Sequence, residues 1–450
     1  MVTVNEIREF VNKLEKGKAC GNDGIASEHL IYADPILCVI LSLGFTSFFS
    51  HGYLPDMFMH AVICPIVKDK SKDLTSVDNY RPVALVTAIS KLFELCILTR
   101  IEALLVTSDL QFGFKRSHST DMCIFVLKEI VDFYKRHNTP IFLCFMDATK
   151  AFDRVNHWTL FRKLINRHIP LFIVRILQYW YSNQLFFVRW ASALSNPFSV
   201  INGVRQGSIL SPMLFAVYVD ELSTKLQSAY AGCCLVNTVV NHLFYADDLV
   251  LICPSAKALQ KLVSICEHYG DEHDIIFHPI KTECMAIFPK SWKPNRIPNV
   301  LLYGKSLNFV NTKKYLGYMV SSSGDDNTDL QRQLRCVYAR ANWIARNFSF
   351  CSQIVKSTLF KSCLYSMYCL NIWCDYSARQ MTTLKVAYHN ALRIIFGLKR
   401  DVSISHNFVS RNLLNFTALQ RKLLFKFRKR LTESRNSVIY SCVNSDLYFN

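Results

Sequence analysis

The sequence predicts an α+β fold, in which a body of mixed strands and helices precedes an all-helical C-terminal region. Ile141–Met146 is a short and nearly continuous apolar run, the pattern of a strand that is covered on both faces. Two further apolar runs surround Asp247 and Asp248, as in a hairpin with an acidic tip. From about Asp329 onward the apolar residues recur with helical spacing and are interleaved with aromatic and basic residues.

The N-terminal elements follow from apolar spacing and from the residues that interrupt it. In order, we expect a helix over 4–14, a helix opening at 27–28, a buried helix within 35–55, a strand over 61–67 that ends at Lys68, a polar segment over 69–78 and a helix over 90–105.

The central and later elements follow from the same apolar spacing and its interruptions. They are a loop over 111–120, a helix over 121–136, the strand Ile141–Met146, a helix carrying 151–153, a polar turn over 203–208, a helix over 212–226, the acidic hairpin, a helix over 256–269 and short strands around 285–288 and 315–320. A shift in composition at 321–324 is the best candidate for a domain boundary.

Composition restricts the classes of partner. The 450 residues suffice for two or three domains, and 51% apolar content excludes general disorder. A net charge of +18 favours a polyanionic partner, with nucleic acid as the first interpretation and an anionic membrane surface as its rival. No membrane-spanning helix is expected, because the unbroken apolar runs within 35–55 are shorter than the roughly 20 residues that a bilayer requires.

The 17 cysteines are scattered, odd in number and preceded by no secretory signal, which favours a reducing compartment over a disulfide framework. No C-x-x-C pair is present. Cys363, Cys369, Cys374 and His389 have a spacing that fits no common zinc site, so buried thiols are the preferred interpretation.

Asp247 and Asp248 are the first candidates for chemistry. Adjacent carboxylates between apolar runs repel each other unless a cation compensates their charge, and Mg²⁺ prefers oxygen ligands of this kind. An acidic turn exposed to water explains the pair alone equally well. Asp147 follows a buried strand and supplies a third carboxylate, so the three together suggest a two-metal site. We expect Asp247 to be a metal ligand and Asp248 to be a ligand or its supporting partner.

Eight ordered motifs resemble those of reverse transcriptases. They are Pro65-Ile66-x-Lys68, Asn79-Tyr80-Arg81-Pro82, Gln111-Phe112-Gly113-Phe114, Asp147-x4-Phe152-Asp153, Gln206-Gly207-Ser208-x2-Ser211-Pro212, Phe244-Tyr245-Ala246-Asp247-Asp248, Lys281-Thr282-Glu283 and Tyr315-Leu316-Gly317. The stretches 151–157 and 203–208 resemble the non-LTR (LINE-type) retrotransposon branch. The resemblance extends over roughly residues 5 to 400.

This resemblance implies a right-hand polymerase fold with fingers, palm and thumb. A small antiparallel sheet packed on helices would form the palm, and the thumb would be all-helical. The implied divisions are an N-terminal extension leading into the fingers (1–54), fingers and palm (55–320), a helical thumb and connection (321–400) and a basic helical C-terminal segment (401–450).

It also implies RNA-directed DNA polymerase activity by two-metal nucleotidyl transfer, with Mg²⁺ as the cofactor and Mn²⁺ as an alternative. The implied partners are an RNA template, a DNA primer or target and deoxynucleoside triphosphates, without a membrane, in an intracellular (nuclear or cytoplasmic) location.

The resemblance assigns roles to individual residues. Asp147, Asp247 and Asp248 match the palm carboxylates that bind the metal ions, and Lys281 matches a lysine that protonates the departing pyrophosphate. Lys68 and Arg81 match residues that contact the triphosphate, Phe152 matches the gate against a 2′-hydroxyl, and Gln206 and Gly207 match the loop of the nucleotide and template pocket. Tyr315, Leu316 and Gly317 match the turn that positions the primer end. Without the motifs, the lysines and Arg81 would read as solvated surface and Phe152 as an ordinary core residue.

The C-terminal stretch 421–431 combines two features. Leu423, Leu424, Phe427 and Leu431 share one helix face, and the basic positions could follow a phosphate backbone or form a solvated face.

Two departures from the family pattern stand out. His278 occupies a position that is usually Asn, which puts only the local turn in doubt. No endonuclease domain precedes the polymerase motifs and no Cys/His knuckle follows them, so we expect the polymerase segment of a longer product or a truncated copy. The alternatives are an inactive copy that only binds nucleic acid and, less well matched around Asp147 and Gln206, a group II intron maturase.

Overall fold

The computed structural model describes residues 1–235, 238–289, 291–292 and 297–444. The chain divides into two compact units, each built from three segments. The first unit comprises Met1–Phe114, Ala148–Lys225 and Cys266–Phe277, and the second comprises Lys115–Asp147, Leu226–Ile265 and His278–Asn450.

The α-helices are, in chain order, α1 (Val4–Asn12), α2 (Ser27–Ile31), α3 (Ile36–His51), α4 (Asp56–Met59), α5 (Ala88–Ile101), α6 (Thr120–Arg136), α7 (His157–Asn166), α8 (Leu171–Ser182), α9 (Ser211–Gln227), α10 (Ala256–Glu272), α11 (Asn327–Asn347), α12 (Gln353–Leu364), α13 (Ala378–Phe396), α14 (Ile404–Ser410), α15 (Phe416–Thr432) and α16 (Ser437–Val443). Short 3₁₀ turns occur at Val77–Asn79, Glu102–Leu104 and Ala151–Arg154.

The strands are, in chain order, β1 (His60–Val67), β2 (Tyr80–Leu85), β3 (Ile141–Met146), β4 (Leu185–Trp190), β5 (Ala193–Leu194), β6 (Phe198–Ser199), β7 (Cys233–Leu235), β8 (Thr238–Val240), β9 (His242–Tyr245), β10 (Asp248–Cys253), β11 (Glu283–Ile287), β12 (Leu301–Leu302), β13 (Lys305–Ser306), β14 (Asn308–Phe309), β15 (Thr312–Tyr315) and β16 (Tyr318–Ser321).

The first unit contains a sheet of order β2-β1-β4-β5, with β6 added to β4. Strands β1 and β2 are antiparallel, with Ile66 opposite Arg81, whereas β1 and β4 are parallel. Helices α3, α4, α5 and α8 contribute aromatic rings to one core, in which Phe93 packs against Phe45, Phe58 and Trp180. This buried aromatic cluster holds the helices of the unit together because such side chains bury large apolar areas.

The second unit contains a sheet of order β14-β11-β3-β10-β9. All six residues of β3 are buried, because β10 and β11 flank it on either side and α6 packs on the sheet. This explains why the strand reads as a continuous apolar run rather than an alternating one. The expected antiparallel sheet is confirmed for β11, β3, β10 and β9, and β14 adds a parallel edge that was not predicted.

Most predicted elements are confirmed within a few residues, including β1, α5, α6, β3, α9 and α10. The predicted helix over 151–153 is only partly confirmed, since Ala151–Arg154 is a single turn of 3₁₀ helix that follows Lys150 at φ +50° and does not continue as an α-helix. The carbonyls of Phe152 and Val155 accept the N–H groups of Val204 and Gly203 instead, so they are not used in a helix. The predicted strand over 315–320 is a hairpin that turns at Leu316 and Gly317, both at positive φ.

After β16 the described residues are predominantly helical, and α11 to α16 lie in the second unit. The last six residues of the segment expected over 401–450 lie outside the described residues. Every helix found in the described ranges is too short or too polar to span a bilayer.

A buried carboxylate ties this helical part to α6 and β16. Asp326 is fully buried and forms an ion pair with Lys128 of α6. It also accepts hydrogen bonds from the Tyr318 hydroxyl at 2.6 Å and from the backbone N–H groups of Cys374 and Asp375 at 2.8 and 3.0 Å. A buried charge is stabilised by such a set of partners, and removing one of them leaves the charge uncompensated.

Glu129 of α6 should make stability depend on pH. Burial raises the pKa of Glu129 to about 7, and the negative charge of Asp132 adds to the rise. The positive charges of Lys128 and Arg136 oppose it. The charge of Glu129 in turn contributes to the raised pKa of the buried Cys442 thiol. The folded chain therefore binds more protons than the unfolded chain between pH 4.5 and 7, and the free energy of unfolding falls as pH rises through that window.

We expect the change Glu129→Gln to raise the free energy of unfolding by about 1–2 kcal/mol at pH 8 and to leave it unchanged at pH 4. Urea unfolding at both pH values measures the difference, with the exposed Glu433→Gln as the control. An equal effect of Glu129→Gln at the two pH values would contradict the assignment.

Candidate active site

The three candidate carboxylates lie at one end of the central strands of the second unit. Asp147 directly follows β3, and Asp248 is the first residue of β10. Because Met146 pairs with Leu249 in antiparallel register, the next position places Asp147 opposite Asp248. Asp247 lies in the turn between β9 and β10, where Tyr245 pairs with Asp248. The strand pairing thus brings Asp147 together with two adjacent carboxylates that lie 100 residues later in the sequence.

The turn of this hairpin is held in an unusual backbone conformation. Ala246 has φ +60°, and with Asp247 it forms a two-residue connection between paired strands. Such connections favour turns with positive φ at the first central residue, a position that glycine usually occupies. An alanine there costs on the order of 1–3 kcal/mol, and strain of this kind is concentrated at functional sites. No residue pattern around Ala246 predicts this conformation.

The carboxylates influence one another electrostatically. Partial burial raises the pKa of Asp248 to about 6, with further contributions from the charges of Asp247 and Asp147, while Lys313 opposes the rise. Lys313 lies on β15 and forms an ion pair of 2.6 Å with Glu283 of β11. Lys313 was not predicted from the sequence, because nothing in the local pattern shows that β15 brings a cation toward Asp248.

The donor set fits a hard divalent cation. Carboxylates are acceptor-only oxygen ligands, and the mutual repulsion at Asp248 is the kind that a bound cation relieves. Across the ranges that the structure describes, no three His, Cys, Asp or Glu side chains are spaced as a complete metal-binding cluster. Mg²⁺ is commonly bound by one or two carboxylates together with substrate phosphates, so such a cluster is not required.

The backbone of Asp147 is fixed by the turn that precedes β11. Its N–H donates to the Thr282 hydroxyl at 3.1 Å, and its carbonyl accepts the N–H of His278 at 2.8 Å. Lys281 is exposed on the same turn, where its N–H donates to the His278 carbonyl. The structure therefore brings Lys281 into the segment that positions Asp147, and it gives buried Thr282 a supporting role that sequence reasoning missed.

The turn at 315–317 lies in the same unit. Tyr315 is buried, with its ring 5.5 Å from that of Phe145 and its hydroxyl 3.6 Å from the Cys123 sulfur. Burial also raises the pKa of Tyr315 well above its usual value. The side chain of Tyr315 thus belongs to the core below the carboxylates, and Leu316 and Gly317 form the accessible part of the turn.

Tyr368 supports this turn from the helical part of the unit. Its hydroxyl donates to the Leu316 carbonyl at 2.5 Å and lies 2.7 Å from the Thr120 hydroxyl. A Cβ atom on Gly317, which has φ +87°, would approach the Tyr368 ring to 3.0 Å. Glycine is therefore required both by the backbone conformation and by the closeness of this ring.

The candidate nucleotide-binding residues lie in the first unit. Phe152 is partly exposed and stacks on Phe215 with ring centroids 4.3 Å apart, while Phe114 contacts it edge-on at 6.0 Å. Its ring is thus held in one orientation by two neighbours. This packing suits a residue that acts through its shape.

Gln206 and Gly207 lie beside Phe152 and the edge of β2. The Gln206 carbonyl accepts the Ala84 N–H at 2.7 Å, and its side-chain amide donates to Asp153 at 3.1 Å. Gly207 has φ +131°, and a Cβ atom there would lie 2.4 Å from the Ala84 carbonyl oxygen. The close approach of two backbones explains the need for glycine at this position.

The prediction that 203–208 is a polar turn is only partly correct, because Arg205 is 4% exposed. Its guanidinium donates to the carbonyls of Phe58 and Met59 and lies 5.2 Å from the Trp180 ring centroid. Arg205 therefore anchors the loop from within. No charge pattern in the sequence distinguishes a buried arginine of this kind from a solvated one.

Lys68 and Arg81 are both exposed on the β1–β2 pair. Lys68 follows β1 and donates to the Asp78 carbonyl at 3.0 Å, and Arg81 lies opposite Ile66. The first unit thus contains Lys68, Arg81, Phe152, Gln206 and Gly207, and the second contains the carboxylates, Lys281 and the 315–317 turn.

Comparison with known proteins identifies the family of the chain. Residues 67–320, more than half of the chain, match the model described as "Reverse transcriptase (RNA-dependent DNA polymerase)". The RNA-directed DNA polymerase from mobile element jockey of Drosophila funebris is 28% identical over 366 residues, which cover 77% of this chain and 38% of that protein. The Pol polyprotein from type-1 retrotransposable element R2 of Popillia japonica is 25% identical over 282 residues, covering 60% of this chain and 39% of that protein.

The chain therefore spans about two fifths of the length of these relatives. Among solved structures, a Candida tropicalis telomerase in complex with a fragment of telomeric RNA aligns with 91% of this chain and 68% of its own chain, at 11% identity and a TM-score of 0.45. A TM-score this low adds nothing to the family assignment.

The family match confirms the resemblance stated from the motifs, and it includes Lys68, Arg81, Phe152, Gln206 and the three carboxylates. It also confirms the α+β fold class of a right-hand polymerase, to which the largely antiparallel sheet and the helical residues after 321 conform. The relatives place the resemblance on the non-LTR side. The chain belongs to the reverse transcriptase (RNA-dependent DNA polymerase) family.

Proposed function

We propose that this chain is the RNA-directed DNA polymerase of a non-LTR retrotransposon and copies RNA into DNA by Mg²⁺-dependent nucleotidyl transfer. The observation that carries the proposal is the arrangement of Asp147 opposite Asp248, with Asp247 in the adjoining turn. Membership of the family supports the same reaction.

The second unit would supply the acid–base and metal-binding groups. Asp147, Asp247 and Asp248 would hold two divalent cations, which, when bound, lower the pKa of an attacking hydroxyl and stabilise the leaving oxygen. Mg²⁺ is the cation we propose, with Mn²⁺ as a substitute. Thr282 and His278 hold the backbone of Asp147, so that its carboxylate keeps a fixed position relative to β10.

Lys281 and the 315–317 turn complete the proposed roles of this unit. Lys281 would donate a proton to the departing pyrophosphate, a role for which a lysine ammonium is suited when it reaches the leaving oxygen. The backbone of Leu316 and Gly317, supported by Tyr368, would hold the primer end.

The residues of the first unit would bind the incoming deoxynucleoside triphosphate. Arg81 can contact phosphate oxygens in a bidentate manner, and Lys68 acts as a point charge. Gln206 offers both a donor and an acceptor beside Gly207. The ring of Phe152, fixed by Phe215, would clash with a ribonucleotide 2′-hydroxyl.

We further propose the division of the chain stated from the sequence. Residues 1–54 would lead into the fingers, 55–320 would form fingers and palm, 321–400 the thumb and connection, and 401–450 a basic C-terminal segment. An RNA template and a DNA primer or target would be the partners, in keeping with the net charge of +18.

Primer extension tests the proposal. The native chain is incubated with an RNA template, an annealed DNA primer and deoxynucleoside triphosphates, in Mg²⁺, in Mn²⁺ or in a chelator. We expect extension in Mg²⁺, extension with lower selectivity in Mn²⁺ and none in the chelator. Binding of the template–primer is measured in parallel. Retained binding without extension in either metal would instead support the alternative of a copy that only binds nucleic acid.

The gate role of Phe152 gives a second measurable result. We expect Phe152→Val to lower the discrimination between deoxynucleoside and ribonucleoside triphosphates, measured as the ratio of kcat/KM values, by roughly 10- to 100-fold, because the smaller side chain leaves room for the hydroxyl. Phe114→Leu is the matched control, since it alters an edge contact of Phe152 and keeps the ring. An unchanged ratio for Phe152→Val would contradict the role.

A further inference from the structure

A cavity of about 660 Å³ lies beside α15 within the second unit. Its size falls in the range of small-molecule binding sites. Its lining includes three aromatic rings, one thioether and two ammonium groups. These belong to Tyr365, Met367, Tyr368, Phe425, Lys426 and Lys429. Apart from Tyr368, which supports the 315–317 turn, none of them takes part in the site described above.

The helix that forms one wall of the cavity is firmly anchored. Phe427 and Leu431 of α15 are each 2% exposed, and the Phe427 ring packs against Phe125 of α6. Arg430 donates to the carboxylate of Asp121 at 2.6 Å and to the Ser119 hydroxyl at 2.9 Å. The outward face of α15 therefore has a fixed orientation.

That outward face presents a large aromatic ring to solvent. Phe425 is 71% exposed, although burying such a side chain is ordinarily favourable by about 1.5–3 kcal/mol. Basic residues surround it at the positions that are neighbours on a helix surface. They are Arg421, Lys422, Arg428 and Lys429, with Lys426 adjacent.

Most of these cations are available to a ligand. Within the described ranges, Arg421, Lys422, Lys426 and Arg428 form no ion pair, and Lys429 makes one exposed contact of 3.7 Å with Glu433. Two carboxylates also line the cavity: Asp121 is paired with Arg430, and Glu433 is the partner of Lys429. The positive charge that remains uncompensated at the cavity and its rim therefore comes from Arg421, Lys422, Lys426 and Arg428, beside the aromatic surface.

We propose that this cavity binds an unpaired nucleotide of single-stranded RNA, with the base against Phe425 and Tyr365 and the adjoining phosphates on Lys426 and Lys429. Aromatic rings flanked by cations are the chemistry by which proteins hold single strands, and a base can enter a cavity only when it is unstacked. A paired duplex cannot present a base in this way, and a membrane surface offers no planar group to fill the recess. The choice of RNA rests on the proposed function.

The site has a physical connection to the polymerase residues. Tyr368 lines the cavity and also donates to the Leu316 carbonyl. An RNA base in the cavity therefore contacts the side chain that supports the 315–317 turn. Tyr368 would thereby contact both the bound single-stranded RNA and the 315–317 turn.

Fluorescence anisotropy with the full chain tests the inference. The probe is an unstructured RNA of about 12 nucleotides, with a DNA of the same sequence, a blunt RNA duplex and anionic vesicles as competitors. We expect Phe425→Ala and Lys426→Ala each to weaken binding of the single-stranded RNA by about fivefold or more. Lys426→Ala should also reduce the slope of log affinity against log salt concentration by about one.

The matched controls remove another exposed aromatic ring or lysine elsewhere in the unit. Phe350 is 85% exposed and Lys305 is exposed, and we expect Phe350→Ala and Lys305→Ala to change RNA affinity by less than twofold. Crosslinking of an RNA containing 4-thiouridine should map to peptides carrying residues 365–371 or 421–431 in the native chain, and this yield should fall in Phe425→Ala.

Unchanged RNA affinity of both cavity variants would overturn the inference. An equal loss toward the blunt duplex, the DNA strand or the vesicles would overturn it as well, because it would show a general electrostatic surface, a DNA site or a membrane site. Binding is measured without catalysis, so this outcome is distinguishable from failure of the proposed function, which appears as absent primer extension by the native chain.

Discussion

Replacing Asp247 by alanine should abolish primer extension, with a loss on the order of 10³-fold or more in the extension rate. We propose Asp247 as a metal ligand at the tip of the β9–β10 hairpin, and removing a group that acts on the developing charge of the reaction has effects of this size. The assay is extension of an annealed DNA primer on an RNA template in Mg²⁺.

The variant should fold normally, because alanine removes one of the charges that raise the pKa of Asp248. Template–primer binding and the unfolding transition should therefore be close to those of the native chain. Asp401→Ala, which removes an exposed carboxylate elsewhere in the second unit, should extend primers at the native rate. Extension by Asp247→Ala within tenfold of the native rate would show that Asp247 is not an essential ligand.

The second large effect is expected from Gly207→Ala, which should lower the free energy of unfolding by about 3 kcal/mol or more. The new methyl group would lie 2.4 Å from the Ala84 carbonyl oxygen, a backbone atom that cannot move without disturbing β2. The backbone at φ +131° adds a strain of about 1–3 kcal/mol for any residue with a Cβ atom. Urea unfolding of the full chain measures the loss.

A second glycine in the same unit allows the free-energy cost of backbone strain to be separated from the cost of the steric collision. Gly17 has φ +72° and no atom within 4 Å of an added Cβ, so Gly17→Ala should cost only about 1–2 kcal/mol. We also expect Gly207→Ala to raise KM for deoxynucleoside triphosphates, because it displaces Gln206. Equal losses for the two alanine variants would contradict the close approach at Gly207.

Elements set by local pattern were predictable from sequence. The run Ile141–Met146 forms β3 with the expected bounds because it is buried on both faces, and α6 matches its predicted span within one residue. The hairpin at Asp247 and its neighbour Asp147 were also predictable, since a strand end and an acidic turn are each visible in the sequence. That Asp147 lies opposite Asp248 depends on the antiparallel pairing of β3 with β10.

Features that depend on distant partners were not predictable. At the 3₁₀ turn Ala151–Arg154, the carbonyls of Phe152 and of the following Val155 accept the N–H groups of Val204 and Gly203, and no residue near 151 signals this. Lys313, Thr282 and Tyr368 support the carboxylates or the 315–317 turn from other elements. Each is an ordinary residue in its own segment, and its role arises only when the chain folds.

The buried carboxylate of Asp326 has a practical consequence for anyone who wishes to express a smaller polymerase. A fragment that stops at residue 320, where the family match ends, would keep Lys128 and Tyr318 but lose the anion that they share. It would also lack Tyr368 beneath the Leu316 carbonyl. Such a fragment would contain the recognisable motifs and yet be missing interior parts of the unit that carries them, so the shortest workable enzyme must extend well into the helices beyond α11.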